Sequence, residues 1–339
     1  GGRFILEPND VVALIGGGNL EAAQKHGHLE TLLTSAYPNH KLRFRNVAWE
    51  GDTVFEQWRD VNFGAWPEQL AWLKAKVLFV QFGQMESLAG VGKLNEFIVA
   101  YEKLLDQFEK QTHRVVLVSP MPFELPPAKL APDLRERNAS VKAYTDAIRA
   151  LAKKRKLLFV DLFQAVNSEA SKSVSITRDG IHLLPEGHEK IARMIAEGIE
   201  VSASPGIVKL GLRELIVEKN QLWFDYWRPM NYAFAFGDRM HVAFGRGDPT
   251  LREELEILRP ILETAEARVD AKAAGSGPLP PLPEGPKRPN SVIANLTPEE
   301  QIASFKLHPD LQANLFASEA DGIVNPVQMR WDERGRLWV

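Results

Sequence analysis

Short apolar runs and helical segments alternate through the first 200 residues, and few folds are compatible with that rhythm. Runs at Asp10–Ile15, Lys41–Val47, Val77–Phe82, Arg114–Ser119 and Leu157–Leu162 read as strands. The first is short and nearly all apolar, the pattern of a strand buried on both faces, and the third reads likewise as a buried strand. Between and after them, Leu20–Ala36, Pro67–Ala75, Gly92–Thr112, Pro132–Lys156 and Pro185–Ile199 have helical spacing. The segment from Gly92 is the clearest, with Leu94, Phe97, Ile98, Tyr101, Leu104, Leu105 and Phe108 on one face. Strands separated by helices pair in parallel through right-handed crossovers. The expected fold is therefore α/β, a three-layer α/β/α sandwich around a five-stranded parallel sheet of flavodoxin-like type. Ligands of such sheets sit beyond the carboxyl ends of the strands, so the residues just after each run are the candidates for chemistry.

One late loop stands out, Thr177-Arg178-Asp179-Gly180-Ile181-His182, ahead of a helix opened by Pro185. An Asp three residues before a His can hold one ring nitrogen with its carboxylate while the other nitrogen faces a cleft, the arrangement of a general base and its orienter. Read alone, the stretch is better taken as a plain turn at Asp179-Gly180 with His182 a polar residue before a helix. The loop Gly16-Gly17-Gly18 leaves the first strand and enters a helix, where backbone amides and the helix dipole favour an anion. It lacks the third small residue of a dinucleotide fingerprint, since Glu21 stands there, and it lacks the Gly-Lys-Ser/Thr of a phosphate loop. No motif calls for a cofactor or a metal.

Taken in order, Gly16-Gly17-Gly18 after the first strand, Gly51 after the second, Gly83-Gln84-Met85-Glu86 after the third and Asp179-Gly180-Ile181-His182 before the last helix resemble the four blocks of the SGNH (GDSL-type) esterases and acylhydrolases. The resemblance covers roughly residues 5–204. It implies His182 as base, Asp179 as its orienter, Gly18 at the nucleophile position, and Gly18, Gly51 and Met85 at the three oxyanion positions. Two positions depart from the pattern: Gly18 has no hydroxyl, and Met85 cannot donate a hydrogen bond. Shifting the frame to Asn19 supplies no nucleophile either, and Ser87 is expected to cap the helix that follows. The resemblance implies hydrolysis of acyl esters, acetyl above all and of carbohydrate. The alternative is a module that binds a carbohydrate or carboxylate without turnover. Restoring Ser at position 18 and Asn at position 85 carries two expected costs: strain if Gly18 holds a positive φ, and a polar amide in an apolar pocket around Met85.

After Ser204-Pro205 the alternation stops. Two helices are expected, Val208–Trp227 with an aromatic end and Pro249–Lys272, forming a helical extension (205–272) packed on the sandwich. The Pro/Gly-rich run 273–293 reads as a linker. Residues 294–339 hold a capped helix at Thr297-Pro298 and then strand, turn, strand, the expected start of a further β domain cut short. This tail narrows the resemblance to SGNH-like N-terminal modules of large secreted planctomycete-type proteins that continue into a sugar-dehydrogenase-like β-propeller and a c-type haem domain. A periplasmic or extracellular location follows from that resemblance, with the propeller and haem domain as partners in the full-length chain. The start at Gly1, without Met, reads as a processed or cut end.

The chain of 339 residues carries a formal charge of -3, which gives no reason to expect nucleic acid as a partner, and no apolar run is long enough for membrane insertion. Cysteine is absent, which excludes disulfides, thiolate catalysis and cysteine-held metals.

Overall fold

The computed structural model describes the chain apart from residues 1–3, 60–62, 128–130, 171–174, 202–207, 230, 244–247, 286–295, 319–320 and 324–325. Five strands form one all-parallel sheet: β1 (Val11–Gly16), β2 (Arg43–Asn46), β3 (Val77–Gln81), β4 (Val115–Val118) and β5 (Leu158–Val160). Their order is β2-β1-β3-β4-β5, and the register sets Leu14 beside Asn46 and Phe79, and Phe79 beside Val116. Successive side chains of a strand point to opposite faces. Val12, Leu14, Phe79 and Val116 therefore enter one core layer. Ala13, Ile15, Leu78, Val80 and Leu117 enter the other. This double burial makes β1, β3 and β4 nearly all apolar, whereas the edge strand β2 keeps Arg43 and Arg45, and the expected α/β/α sandwich results.

The helices in this part are α1 (Gly18–Ala22), α2 (His28–Ala36), α3 (Trp66–Leu73), α4 (Leu94–Phe108), α5 (Asn138–Arg155), α6 (Leu162–Ala170) and α7 (Pro185–Gly198). Leu29, Leu33, Val166, Ile191 and Ile195 of α2, α6 and α7 cover the first face. Leu70, Phe97, Tyr101, Tyr144 and Ile148 of α3, α4 and α5 cover the second.

Several boundaries differ from the sequence reading. The helix expected over Leu20–Ala36 is broken: a 3-10 turn at Ala23–Lys25 follows α1, and Gly27, at φ +65°, separates it from α2. The left-handed backbone at Gly27 turns the chain, and a side chain there would meet Ile216 at 2.9 Å. The fifth strand ends at Val160, and Leu162, expected as its last residue, opens α6 instead. Helix α5 starts at Asn138 after a 3-10 turn, not at Pro132, and α4 spans a shorter stretch than Gly92–Thr112.

Three further helices follow, α8 (Leu212–Trp227), α9 (Tyr232–Ala235) and α10 (Leu251–Ala274). Trp223, Trp227 and Leu262 complete the second core layer. Helix α10 screens the edge strand: Arg43 of β2 grips Asp270 with two bonds of 3.0 and 2.8 Å, and Arg45 meets Glu266 at 2.5 Å. Charged partners along an exposed edge block pairing with foreign strands. On α8, buried Lys219 reaches buried Glu30 of α2 at 2.8 Å and so stays paired. Helix α10 ends two residues inside the run expected as a linker, and 286–293 of that run lie outside the described residues.

Residues 288–339 form a separate compact unit. It contains α11 (Pro298–Ala303), with Thr297 accepting from the Glu300 amide as its cap, and an antiparallel pair, β6 (Arg330–Trp331) and β7 (Leu337–Trp338). The turn between the strands is closed by Asp332, whose carboxylate accepts from the Arg334 and Arg336 amides at 2.9 Å each. Asn325, the first residue of the stretch to Val339 expected as the start of a propeller, lies outside the described residues. Among the described residues no helix is long and apolar enough to cross a membrane.

Candidate active site

The loop that carries Asp179 and His182 is held from several directions. The Asp179 carboxylate stands 2.7 Å from His182 Nδ1 through Oδ2, while Oδ1 accepts from the His182 amide at 2.8 Å and the Ile181 amide at 3.0 Å. Partial burial opposes ionisation of Asp179, but the backbone and ring of His182 and the Ile181 amide outweigh it and hold the carboxyl down at about 2. An ionised carboxylate can only accept, so the Nδ1 proton sits between the two groups and Nε2 is left as the basic nitrogen. The His182 side chain is half exposed.

Glu124, in the loop after β4, supports this geometry from below. One of its carboxylate oxygens accepts from Ser175 Oγ, Thr177 Oγ1 and the amides of Ile176 and Thr177, all between 2.7 and 3.0 Å. The Glu124 amide donates to Gly180 O at 3.0 Å. Gly180 has φ +88°, and a Cβ there would come within 2.7 Å of Glu124 O, so glycine is required for that approach. From the other side Asn19, the residue after Gly18, donates to Ile181 O at 2.8 Å and accepts from the Leu183 amide at 3.0 Å. The end of β1 and the Asp179–His182 loop are thus tied by one amide side chain.

The opposite side of the site is a narrow cleft of about 60 Å³ at the carboxyl ends of β1 and β3, lined by Gly17, Gly18, Asp52, Met85, Glu86 and Met121 among others. Gly18 opens α1, its φ lies outside the left-handed region, and nothing lies within 4 Å of a Cβ built on it. The expected backbone strain at this position is absent. Gly51 has φ +82° in the turn closed by the Asp52 amide on Trp49 O, and open space lies beside it as well. Met85 is 50% exposed, so its expected apolar pocket is absent too. Ser87 does not cap the next helix: its hydroxyl donates to Gln84 O at 2.6 Å inside a 3-10 turn, and the residue is fully buried.

Two buried acids shape this cleft. Glu86 accepts from the Gly83 amide at 2.8 Å and the Val54 amide at 2.9 Å, clamping the loop after β3 to the loop after β2; burial pushes its carboxyl up against those two bonds. Asp52 is gripped by both Arg59 guanidinium nitrogens at 2.9 and 2.7 Å, and Arg59 stacks 4.5 Å over the Trp49 ring. Burial raises the Asp52 carboxyl despite that pairing.

Gly18, Met85 and the turn holding Gly51 therefore gather at one sheet edge, and Asn19 links that edge to the loop of Asp179 and His182. The contributions of Asn19, Glu124, Glu86 and the Asp52–Arg59 pair were not read from the sequence. The partners of Glu124 lie about 50 residues away and those of Asn19 more than 160, and no spacing rule connects them. Among the described residues no group of three or more His, Asp or Glu is arranged to hold a metal.

A family model described as GDSL-like lipase/acylhydrolase matches residues 13–190, and a model described as a domain of unknown function matches residues 297–339. No curated protein matches the chain. Among solved structures, a gut microbial diltiazem-metabolizing enzyme is similar at 20% identity and a TM-score of 0.44, covering 58% of this chain; this chain spans about half of that one, 48%. LAE5, an α/β hydrolase from the metagenome of Lake Arreo in Spain, is similar at 17% identity and a TM-score of 0.48, with 58% of this chain and 97% of that one covered. Axe2, an acetylxylan esterase from Geobacillus stearothermophilus, is similar at 17% identity and a TM-score of 0.46, with 59% and 98% covered.

Proposed function

The chain belongs to the GDSL-like lipase/acylhydrolase family, and on that premise we propose that its strand-end cleft binds a short acyl ester and hydrolyses it slowly, with water in place of a side-chain nucleophile. The observation that carries this reading is the pairing of an oriented Asp179–His182 dyad with open space at Gly18. A water in that space gives its proton to His182 Nε2 as its oxygen adds to the ester carbonyl. The amides of Gly18 and Gly51 face the developing oxyanion. As the tetrahedral species collapses, the C–O bond to the alcohol breaks and the leaving oxygen takes the proton back from the imidazolium; the carboxylic acid and the alcohol result, and the acid releases its remaining proton to solvent. The narrow cleft, about 60 Å³, favours an acetyl group over a long acyl chain.

Such a site is a weak catalyst. Family members that lose one member of the triad are expected to retain only about 10³–10⁴ over the uncatalysed reaction, and one missing oxyanion donor, at Met85, removes about 10²–10³. Under this proposal p-nitrophenyl acetate is hydrolysed without an initial burst, because no acyl-enzyme forms, and His182→Ala removes the activity. Saturable binding of acetate or of an acetylated sugar with no His182-dependent turnover would replace the enzyme by the second reading, a binding module, which the exposed Met85 favours. An exported setting and service to a downstream propeller belong to this proposal as its expected context.

A further inference from the structure

Gly51 carries one of the two amides that face the oxyanion, yet nothing packs on it: its φ is +82°, and no atom lies within 4 Å of a Cβ built there. The direction of that amide is therefore set by the turn around it, Trp49-Glu50-Gly51-Asp52. Trp49 ties this turn to the sheet. Its amide donates to Gly16 O at the end of β1 at 3.0 Å, and its carbonyl accepts from the Asp52 amide at 3.1 Å.

An acid flanks Gly51 on each side, and an arginine holds each acid. Asp52, which lines the cleft, is gripped by both Arg59 guanidinium nitrogens, while Glu50 accepts from Arg228 Nη1 at 2.8 Å. The two guanidiniums share one platform, since Arg59 lies 4.5 Å and Arg228 3.7 Å over the Trp49 ring. Partial burial opposes ionisation of Glu50, but the bond to Arg228 and the Glu50 backbone amide outweigh it and lower the carboxyl. A half-exposed ion pair fixes little by itself. A planar guanidinium that is also stacked on an indole is held in a second direction.

The two arginines differ in origin. Arg59 belongs to the loop after β2, inside the stretch 13–190 that the family model matches, whereas Arg228 caps α8 well beyond it. Helix α8 has other anchors: Trp223 and Trp227 sit in the second core layer, Trp223 Nε1 donates to Asn46 O at 3.1 Å, and Lys219 is paired with Glu30. The Arg228 side chain is thus spent on the turn. We propose that Arg228 is a positioning residue for the Gly51 amide, which makes the helical extension a working part of the cleft and not a cover on the sandwich. This rests on the reading of Gly51 as an oxyanion donor.

The test uses the whole chain with Arg228→Ala. Glu50→Ala opens the same pair from an exposed residue, so a result stands even where the first variant fails to fold. In both, hydrogen exchange at the Asp52 amide, whose acceptor is Trp49 O, should speed up about tenfold while α8 and β3 amides keep their protection. In Arg228→Ala, kcat for p-nitrophenyl acetate should fall about tenfold, part of the roughly 10²–10³ that one oxyanion donor carries, with KM within about twofold. Arg228→Lys keeps a charge for Glu50 without the planar stack and should recover part of that loss. Asp52 exchange that neither variant changes overturns the proposal, and so does faster exchange with unchanged kcat. A native chain without His182-dependent turnover counts against the reading of the cleft alone, and titration with sodium acetate then decides. Binding about tenfold weaker in Arg228→Ala upholds the positioning role; unchanged binding, or none by the native chain, overturns it.

Discussion

The two sides of the strand-end site are built to different standards. On the side of Asp179 and His182, the loop is fixed by a carboxylate from the loop after β4, by an amide from the residue after Gly18 and by its own Asp. On the opposite side stand a glycine with nothing within 4 Å of its missing side chain and a methionine 50% exposed. Buried hydrogen-bonded networks are costly when partly satisfied, so the base side is constrained as a unit. The nucleophile side has buried bonds too, at Glu86 and Asp52, but they fix its loops, and the two positions that would carry the chemistry, Gly18 and Met85, stand in the open. The scaffold of hydrolysis and the groups that perform it are therefore separable in this chain.

The strongest way to test that separation is to refill the bare side. Gly18→Ser with Met85→Asn meets neither strain nor an apolar pocket, and the double variant should hydrolyse p-nitrophenyl acetate about 10²–10³ faster than the native chain. Each single variant should fall well short, because such groups act as a unit. An initial burst should appear, and His182→Ala in that background should remove it. A double variant that melts normally and shows no gain would break the comparison, since the base side would then be misplaced as well.

A smaller effect comes from the joint between the two sides. His26, in the turn after α1, stacks on His188 of α7 at 4.4 Å. Burial first, and the neighbouring His26 and His28 next, lower His188 from 6.5 to about 4. The unfolded chain therefore takes up this proton before the folded one does. The stability from neutral His188 is whole above pH 6.5 and falls as the pH drops through that window to 4, by about 3 kcal/mol in total. Urea denaturation at pH 7.0 and at points down to about pH 4.5 should show this slope, and His188→Phe, which keeps a ring in the stack, should flatten most of it. A slope unchanged in the variant would assign the loss to other groups.

The smallest effect is expected from Asn19→Ala. It deletes the two bonds that tie the base loop to β1, costing about 1–2 kcal/mol. Hydrogen exchange at the Leu183 amide, whose acceptor is Asn19 Oδ1, should accelerate while the β3 amides stay protected. Equal protection in variant and native chains would show that Glu124 alone fixes the loop.

The sheet was legible because its signal is local: buried parallel strands must be short and apolar, and the helices between them must present an apolar face. Leu162 misled because it continues the apolar run of β5 yet belongs to the next helix, and apolarity alone does not distinguish the two. Gly27 broke a helix whose periodicity runs straight through it, and only its left-handed backbone reveals the break. Asp179 and His182 could be paired from sequence since three residues separate them. Glu124 and Asn19 could not, because a carboxylate or an amide on a loop carries no mark of a partner 50 or 160 positions away. Asn19 was weighed only as a substitute nucleophile, and its place is that of a strut.

That strut has a consequence for how the protein is made. Its hydrogen bonds join residues 162 and 164 positions apart in the chain. All five strands have left the ribosome once Val160 has emerged, so a nascent chain can assemble its sheet before the Asp179–His182 loop exists. Glu124 must meanwhile remain hydrated, since its four donors on Ser175, Ile176 and Thr177 have yet to arrive. Contacts of such long sequence separation form late and slowly. During translation the basic nitrogen can thus be set in place only after all five strands have been made, and a chain arrested at Ala170 carries every strand of the sheet but neither the base nor its orienter.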